Sequence, residues 1–287
     1  MPCALIEFSP ALRDFVNNPP IYLTIRENIL KLGLLIGMGM LISGSAVSWL
    51  KQSAFRVLDF FLPRLCLFCG GVVAEEAQAA VCLDCEGKIE WVESPVCSCC
   101  GLVFPTREGE DRPCGPCQTD PPAFARARAA AVYEGPVSTA IKRFKFERQM
   151  AYLPVLQHWL QQPRARELVE AADLLIPVPL HPRRLQYRGF NQALLLARAF
   201  PEAKVGRETL ARVRYTVPQI GLNPKERRDN VHRAFAVPRP GEVKGKNVLL
   251  VDDLYTTGAT VRECARVLRR AGARRVEVLT VARVKDD

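Results

Sequence analysis

Eight of the eleven cysteines in this chain of 287 residues fall into four C-x-x-C pairs within residues 66–117. The pairs are Cys66/Cys69, Cys82/Cys85, Cys97/Cys100 and Cys114/Cys117, with twelve residues between the first two and thirteen between the last two. A tight C-x-x-C turn presents two sulfurs to one tetrahedral ion, and a second such turn completes a four-thiolate site. Eight ligands therefore make two structural Zn2+ sites, and full protein coordination leaves no position for a substrate. Sequential pairing gives two tandem ribbons; interleaved pairing also satisfies the spacing. Gly70 and Gly101 follow the first and third pairs, where a knuckle needs positive φ. Cys99 competes with Cys100 through a one-residue slip, with Cys100 the expected ligand. Cys264 reads as a helix core residue, and Cys3 lies in the leader. Such pairs in a long chain favour metal over disulfides, and thiolate ligation favours a reducing compartment, so the expected location is cytoplasmic.

Residues 1–57 read as a leader. Leu32 to Leu50 is an uncharged run of 19 residues, long enough to span a bilayer. It starts too far along the chain for a signal peptide, its flanks give no topology bias, and several glycines make it only mildly apolar. Three readings stay open: a start placed too far upstream, with translation beginning at Met38 or Met40; a buried or interfacial helix; and a membrane anchor. The over-extended start is the expectation, and a membrane anchor is not.

A cysteine module over 58–122 closes with "TDPPAF", whose prolines favour an extended linker. The charge balance changes there. Residues 1–122 carry 9 Lys+Arg against 14 Asp+Glu, a net of −5, and residues 123–287 carry 31 against 16, a net of +15. A basic second portion fits either a phosphate-bearing partner or a solvated arginine-rich surface. Its apolar pattern alternates. "RARAAAVYEG", "DLLIPVP", "GRETLARVR", "NVLLV" and "RRVEVLTVARV" read as strands. "PVSTAIKRFKF", a stretch over 151–171 broken near Pro163, "RGFNQALLLARAF" and "TVRECARVLRRAG" read as helices. Residues 214–231 are polar with little periodicity. The alternation predicts an α/β domain over 123–287 built on a doubly wound parallel sheet.

The chemistry concentrates in "NVLLVDDLYTTGAT", 247–260. A buried strand ends in Asp252 and Asp253, and open α/β sheets bind ligands beyond the carboxyl ends of their strands. Two adjacent carboxylates repel and are costly to bury without partners. The vicinal hydroxyls of a sugar are suitable donors to them. Thr256, Thr257, Gly258 and Thr260 follow, directly ahead of a helix N-terminus, where free N–H groups and the dipole favour phosphate. The combination describes a ribose-5-phosphate site; a solvent-exposed turn with threonine caps is the plainer alternative.

"VLLVDDLYTTGAT" resembles the phosphoribosyl pyrophosphate (PRPP) signature of type I phosphoribosyltransferases. Together with the cysteine module, it resembles the ComF family of competence-associated proteins, which join a double zinc ribbon to a type I phosphoribosyltransferase-like domain. "IPVPLHPRRLQYRGFNQALLLA", "VPQIGLNPKERRDNVHRAF" and "AIKRFKF" are similar to that family as well, so the resemblance covers about 58–285. It implies that Asp252 and Asp253 take the ribose hydroxyls, and that Thr256, Thr257, Gly258 and Thr260 take the 5′-phosphate. Arg183 and Arg184 fall at the pyrophosphate loop. Residues 214–230, with Arg214, Gln219, Arg227 and Arg228, fall at a mobile hood loop. His181 and His232 are candidate acid–base groups, though a loop histidine is commonly incidental.

Two functions follow as expectations. The first is transfer of phosphoribose from PRPP, with Mg2+, to an unknown acceptor with release of pyrophosphate, in a protein of DNA uptake. The second is a non-catalytic accessory protein that binds single-stranded DNA or the uptake machinery and keeps the PRPP site as a regulator or relic. In that case Phe144, Phe146, Tyr187 and Phe190 would stack bases between basic residues, although aromatics at this spacing are more often core.

Overall fold

The computed structural model describes residues 64–74, 77, 79–106, 108–216 and 223–285. The leader expected over 1–57 and Gln219 of the expected hood loop lie outside them. Among the described residues no helix is long and apolar enough to cross a membrane. Contacts divide the chain into two units between Lys88 and Ile89.

In the first unit Cys66, Cys69, Cys82 and Cys85 bring their sulfurs within 4.8 Å of one another. Leu65 and Val72 bridge across the first knuckle, and the one-turn helix α1 (Leu83–Glu86) starts at the second. In the second unit Cys97, Cys100, Cys114 and Cys117 cluster equally tightly, with Val96 and Val103 bridged and α2 (Gly115–Thr119) carrying Cys117. The clusters therefore pair the C-x-x-C turns sequentially, and Cys100 rather than Cys99 belongs to the second.

The donor sets fit Zn2+. Backbone amides point at the sulfurs, as thiolates require: Gly71 N–H donates to Cys69 Sγ (3.4 Å), Cys100 N–H to Cys97 Sγ (3.4 Å) and Cys114 N–H to Cys97 Sγ (3.2 Å). Burial opposes ionisation of Cys97, but the amides of Cys100, Cys114 and Cys99 outweigh it and hold the thiol down at about 6.

The second unit is an α/β layer structure. Its elements are β1 (Arg126–Val132), α3 (Gly135–Phe146), α4 (Leu153–Leu160), α5 (Pro163–Glu170), β2 (Leu174–Pro177), α6 (Pro182–Arg188), α7 (Gln192–Ala197), β3 (Ala211–Arg212), α8 (Pro224–Val231), β4 (Phe235–Ala236), β5 (Asn247–Tyr255), α9 (Ala259–Arg270) and β6 (Arg275–Arg283). The main sheet is parallel in the order β1-β6-β5-β2. Val248–Val251 of β5 form an unbroken apolar run, and β6 is buried from Val276 to Arg283, because both faces of these strands are covered. On one face Ile176, Val248, Leu250, Val276 and Val278 pack with Val261, Cys264 and Leu268 of α9. These helix residues share a stripe by their three- and four-residue spacing. The alternating residues, including Leu175, Leu249 and Leu279, face α4 and α7, where Trp159, Leu160 and Leu196 are fully buried.

The expected alternation holds, with differences at the shorter elements. "GRETLARVR" yields only the two-residue β3, paired antiparallel with β4. The helix expected over "RGFNQALLLARAF" shortens to α7, because the Asn191 side chain caps it by accepting from Ala193 and Leu194 N–H. The polar stretch over 214–231 contains α8, held by an Asn223–Glu226 capping box rather than by an apolar stripe. The second ribbon lies on the sheet within its own unit: Ala127 N–H donates to the Cys99 carbonyl at 2.7 Å.

Both knuckle glycines have positive φ, 72° at Gly70 and 74° at Gly101. At Gly101 a side chain meets a second obstacle, since a Cβ would stand 2.7 Å from the Ala127 carbonyl oxygen. Gly101→Ala is expected to destabilise the chain by ~1–3 kcal/mol in thermal or urea unfolding. Gly241→Ala, where a Cβ meets nothing within 4 Å, should stay within ~0.5 kcal/mol of the parent.

Candidate functional site

β5 outruns β2. Their last paired residues are Pro177 and Val251, whereas β6 accompanies β5 to the Tyr255–Arg283 pair. Beyond the end of β2 a cleft of about 780 Å³ opens, and the overhanging strand supplies Asp252, Asp253 and Leu254 to its wall. The other walls are cationic: Lys142 and Lys145 from α3, Arg183, Arg184 and Arg188 from α6, Arg212 from β3 and Arg227 from α8.

The two carboxylates have different environments because successive strand residues face opposite ways. Asp253 is buried, with Oδ2 2.6 Å from Lys145 Nζ. Burial works against its ionisation, but the Lys145 ammonium overcomes this and, with Asp252 and Arg188 assisting, holds Asp253 below the usual carboxylate range. Asp252 Oδ1 accepts the Asp253 N–H at 2.9 Å. Burial, followed by the Asp253 charge, pushes Asp252 up to about 8. Burial, mutual repulsion and the Lys145 charge thus push the two acids apart, Asp252 upward and Asp253 downward, as a coupled pair.

The following loop leads into α9 through Gly258, at φ 72°. A Cβ there would lie 2.2 Å from the Tyr255 hydroxyl, so the loop is seated directly on that buried ring. The first helical bond runs from Arg262 N–H to the Gly258 carbonyl at 2.8 Å, and the N-cap position, a glycine, offers no side chain to the helix. What favours an anion there is the N-terminal end of the helix and its dipole. Thr256, Gly258 and Thr260 line the cleft, whereas Thr257 turns its hydroxyl to the Ala259 N–H at 3.5 Å.

The remaining candidates divide. Arg183 and Arg184 reach the cleft from α6, a helix where a loop was expected. Arg227 reaches it too. Arg228 does not, and Arg214 instead holds the carbonyls of Asn230 (3.0 Å) and His232 (2.6 Å). His181 caps α6 by accepting the Arg183 N–H at 3.3 Å, and neither it nor His232 lines the cleft. Phe144 is fully buried, so it belongs to the interior, and it packs on the half-buried Phe190 with ring centroids 5.1 Å apart. Phe146 and Tyr187 are exposed at the cleft.

Sequence reasoning missed Lys145, Arg188 and Arg212. The phase of "AIKRFKF" carried a signal: Ile141 and Phe144 are buried, and Lys142 and Lys145, three apart, share the neighbouring cleft-facing side. Arg212 is an inward arginine between apolar neighbours. It is buried, donates to Thr216 Oγ1 at 2.5 Å and lies over the Phe235 ring at 5.2 Å.

Comparison with known proteins agrees with this arrangement. Residues 57–118 match the double zinc ribbon domain family, and residues 188–287 match the phosphoribosyl transferase domain family. "Competence protein F" of Haemophilus influenzae is 30% identical over 243 residues, which cover 79% of this chain and 100% of the relative. The chain belongs to the ComF family. Another ComF relative, "DNA utilization protein YhgH" of Escherichia coli O157:H7, is 33% identical over 229 residues, 77% of this chain and 98% of that protein. "Competence protein ComFC" of Bacillus subtilis is 26% identical over 204 residues, 67% of this chain and 79% of its own length.

The upward shift of Asp252 has a stability signature. Its folded value of about 8 lies above the ~3.9 of an unfolded aspartate. The folded state therefore holds the extra proton, and stability falls as pH rises from about 4 to about 8. Asp252→Asn removes this penalty. Its melting-temperature advantage over the parent should be small at pH 4 and widen steadily to pH 8 in matched thermal melts.

Proposed function

We propose that this ComF-family chain binds PRPP in the cleft and transfers its phosphoribosyl group to a nucleophile, with release of pyrophosphate. The observation that carries this is the overhang of β5, which brings a carboxylate pair and the N-terminus of α9 to one wall, opposite a wall of arginines. Ribose hydroxyls donate to Asp252 and Asp253, with Lys145 keeping Asp253 ionised. The 5′-phosphate accepts from α9 amides and from the hydroxyls of Thr256 and Thr260. Arg183, Arg184, Arg212 and Arg227 face the pyrophosphate, where charge accumulates as the C1′–O bond breaks. The bond from the nucleophile to C1′ forms as pyrophosphate departs with the electron pair, so the protein contributes mainly position and charge. Mg2+ bound together with the substrate would supply further charge neutralisation there.

A second reading draws on the rim. Phe146, Tyr187 and Tyr215 are exposed at the cleft, each beside a cation: Arg188 lies 5.8 Å from the Phe146 ring, Arg148 5.6 Å from Tyr187 and Arg183 5.7 Å from Tyr215. Alternating rings and guanidinium groups suit single-stranded nucleic acid. The relatives' names, which speak of competence and DNA utilization, favour a place in DNA uptake. In this reading the cleft is a PRPP-responsive regulator of DNA handling.

Calorimetric titration of PRPP, with and without Mg2+, tests the first reading. Asp252→Asn combined with Asp253→Asn should weaken binding by ~2 kcal/mol or more, about 30-fold, and unchanged affinity refutes the site. A screen of nucleobase and amine acceptors for pyrophosphate release then tests transfer. For the second reading, single-stranded DNA binding should fall steeply with salt, and Tyr187→Ala should cost ~1–3 kcal/mol. Salt-independent binding, or none, removes it.

A further inference from the structure

The loop at 256–260 is held at both ends by the second cysteine cluster. At its start stands Tyr255, the last residue of β5, whose hydroxyl fills the space beneath Gly258. The Tyr255 ring is buried between the edge of Phe124 (centroids 6.5 Å apart) and the guanidinium of Arg283 (4.7 Å). Arg283 is itself buried and donates to the Cys100 carbonyl at 2.6 Å. Beyond the loop, in the first turn of α9, Arg262 donates to the backbone carbonyl and the Oδ2 of Asp120, each at 3.0 Å. Asp120 is the C-cap of α2, the short helix that carries Cys117. One knuckle of a single four-cysteine site therefore braces the residue before the loop, and the other braces the helix after it.

We propose that the second zinc site is the scaffold of the cleft's anion-binding loop: metal held by Cys97, Cys100, Cys114 and Cys117 sets the loop's shape through Arg283–Tyr255 and Arg262–Asp120. Two physical effects make the coupling strong. Metal binding supplies much of the folding free energy of a small thiolate knuckle, so without it the Cys100 carbonyl and the C-cap of α2 lose their fixed positions. A tetrathiolate site with Zn2+ also carries a formal charge of about −2, a counter-charge for the buried Arg283 on its carbonyl side. Tyr255 and Arg283 act as positioning residues, since both work through the backbone of Gly258. Ligand affinity at the cleft thereby depends on the metal and thiol state of the second ribbon. The first ribbon, in the other unit, serves as the control.

The test uses the full zinc-loaded chain. Cys114→Ser and Cys69→Ser are each expected to lose one zinc of about two by metal analysis. Hydrogen exchange of amides 256–262 is read in both variants, together with the Kd for PRPP. Cys69→Ser should keep parental exchange and a Kd within about twofold, whereas Cys114→Ser should exchange at least tenfold faster there and bind about tenfold more weakly. Arg283→Lys and Arg262→Ala should retain both zincs and still speed exchange over 256–262, a readout that decides the matter should Cys114→Ser fail to fold. Parental exchange at the loop in zinc-depleted Cys114→Ser, or in both arginine variants, overturns the proposal. The Kd arm rests on the PRPP reading. If the parent binds no PRPP, that reading falls, and the exchange arms still decide the coupling.

Discussion

The ion pair between Lys145 and Asp253 is the interaction on which the cleft depends. Placing a carboxylate at the end of a strand buried on both faces costs several kcal/mol unless a partner of opposite charge is buried with it. Lys145 meets that requirement at 2.6 Å, and in doing so ties the last turn of α3 to the overhanging end of β5. The same pair bears on the state of its neighbour. With Asp253 held as an anion, a second buried negative charge one residue away is unfavourable. Burial first, and then the Asp253 charge, raise Asp252, whereas Lys145 outweighs burial only at Asp253, so two adjacent, chemically identical side chains are shifted in opposite directions. A site of this kind is polarised before any ligand arrives.

The two four-cysteine sites share a motif and differ in use. The first closes a short hairpin in a unit of its own. The second is part of the structural frame of the sheet, with its knuckle carbonyls serving as acceptors for Arg128 and Arg283 and for the amide of Ala127. The arginines of β1 and β6 explain part of the basic excess of the second portion. Arg128, Arg262 and Arg283 face the ribbon, while Arg126 and Arg275 bracket Glu277. The charge asymmetry of the sequence therefore has at least three sources: internal bracing, the cleft wall and exposed residues such as Arg198, Arg233 and Arg270.

How much was legible in the sequence follows from the range of the interactions involved. The cysteine sites, β5 with its acid pair, α9 and β6 depend on local spacing, and each stands where the pattern put it. The short elements were harder. β3 falls within the strand expected over "GRETLARVR" but is only two residues long, because only Ala211 and Arg212 meet β4. α8 was readable in principle from Asn223 and Glu226, but its lack of an apolar face hid it from a search for periodicity. The cleft's cations were the main omission. Lys145 and Arg212 are brought to the acids by tertiary packing, and a lysine in a mixed helix looks like any solvated lysine until its partner is known. Phe144 and Phe146 show the same limit: two residues apart on one helix, one is core and the other rim.

The sheet order also constrains how the chain comes together. β1 takes β6 as its ladder partner, joining Arg126 to Glu277 across 151 residues of sequence, so closing that ladder carries a large loop entropy. Contacts of such separation slow folding. During synthesis the second ribbon and β1 emerge long before β6, and Arg283, which reaches back to Cys100, is among the last residues of the domain to appear. The ribbon can take up its metal early, yet the brace from metal site to loop is completed only when β6 docks. The seating of the 256–260 loop on the second ribbon therefore depends on a strand that lies far from that ribbon in sequence.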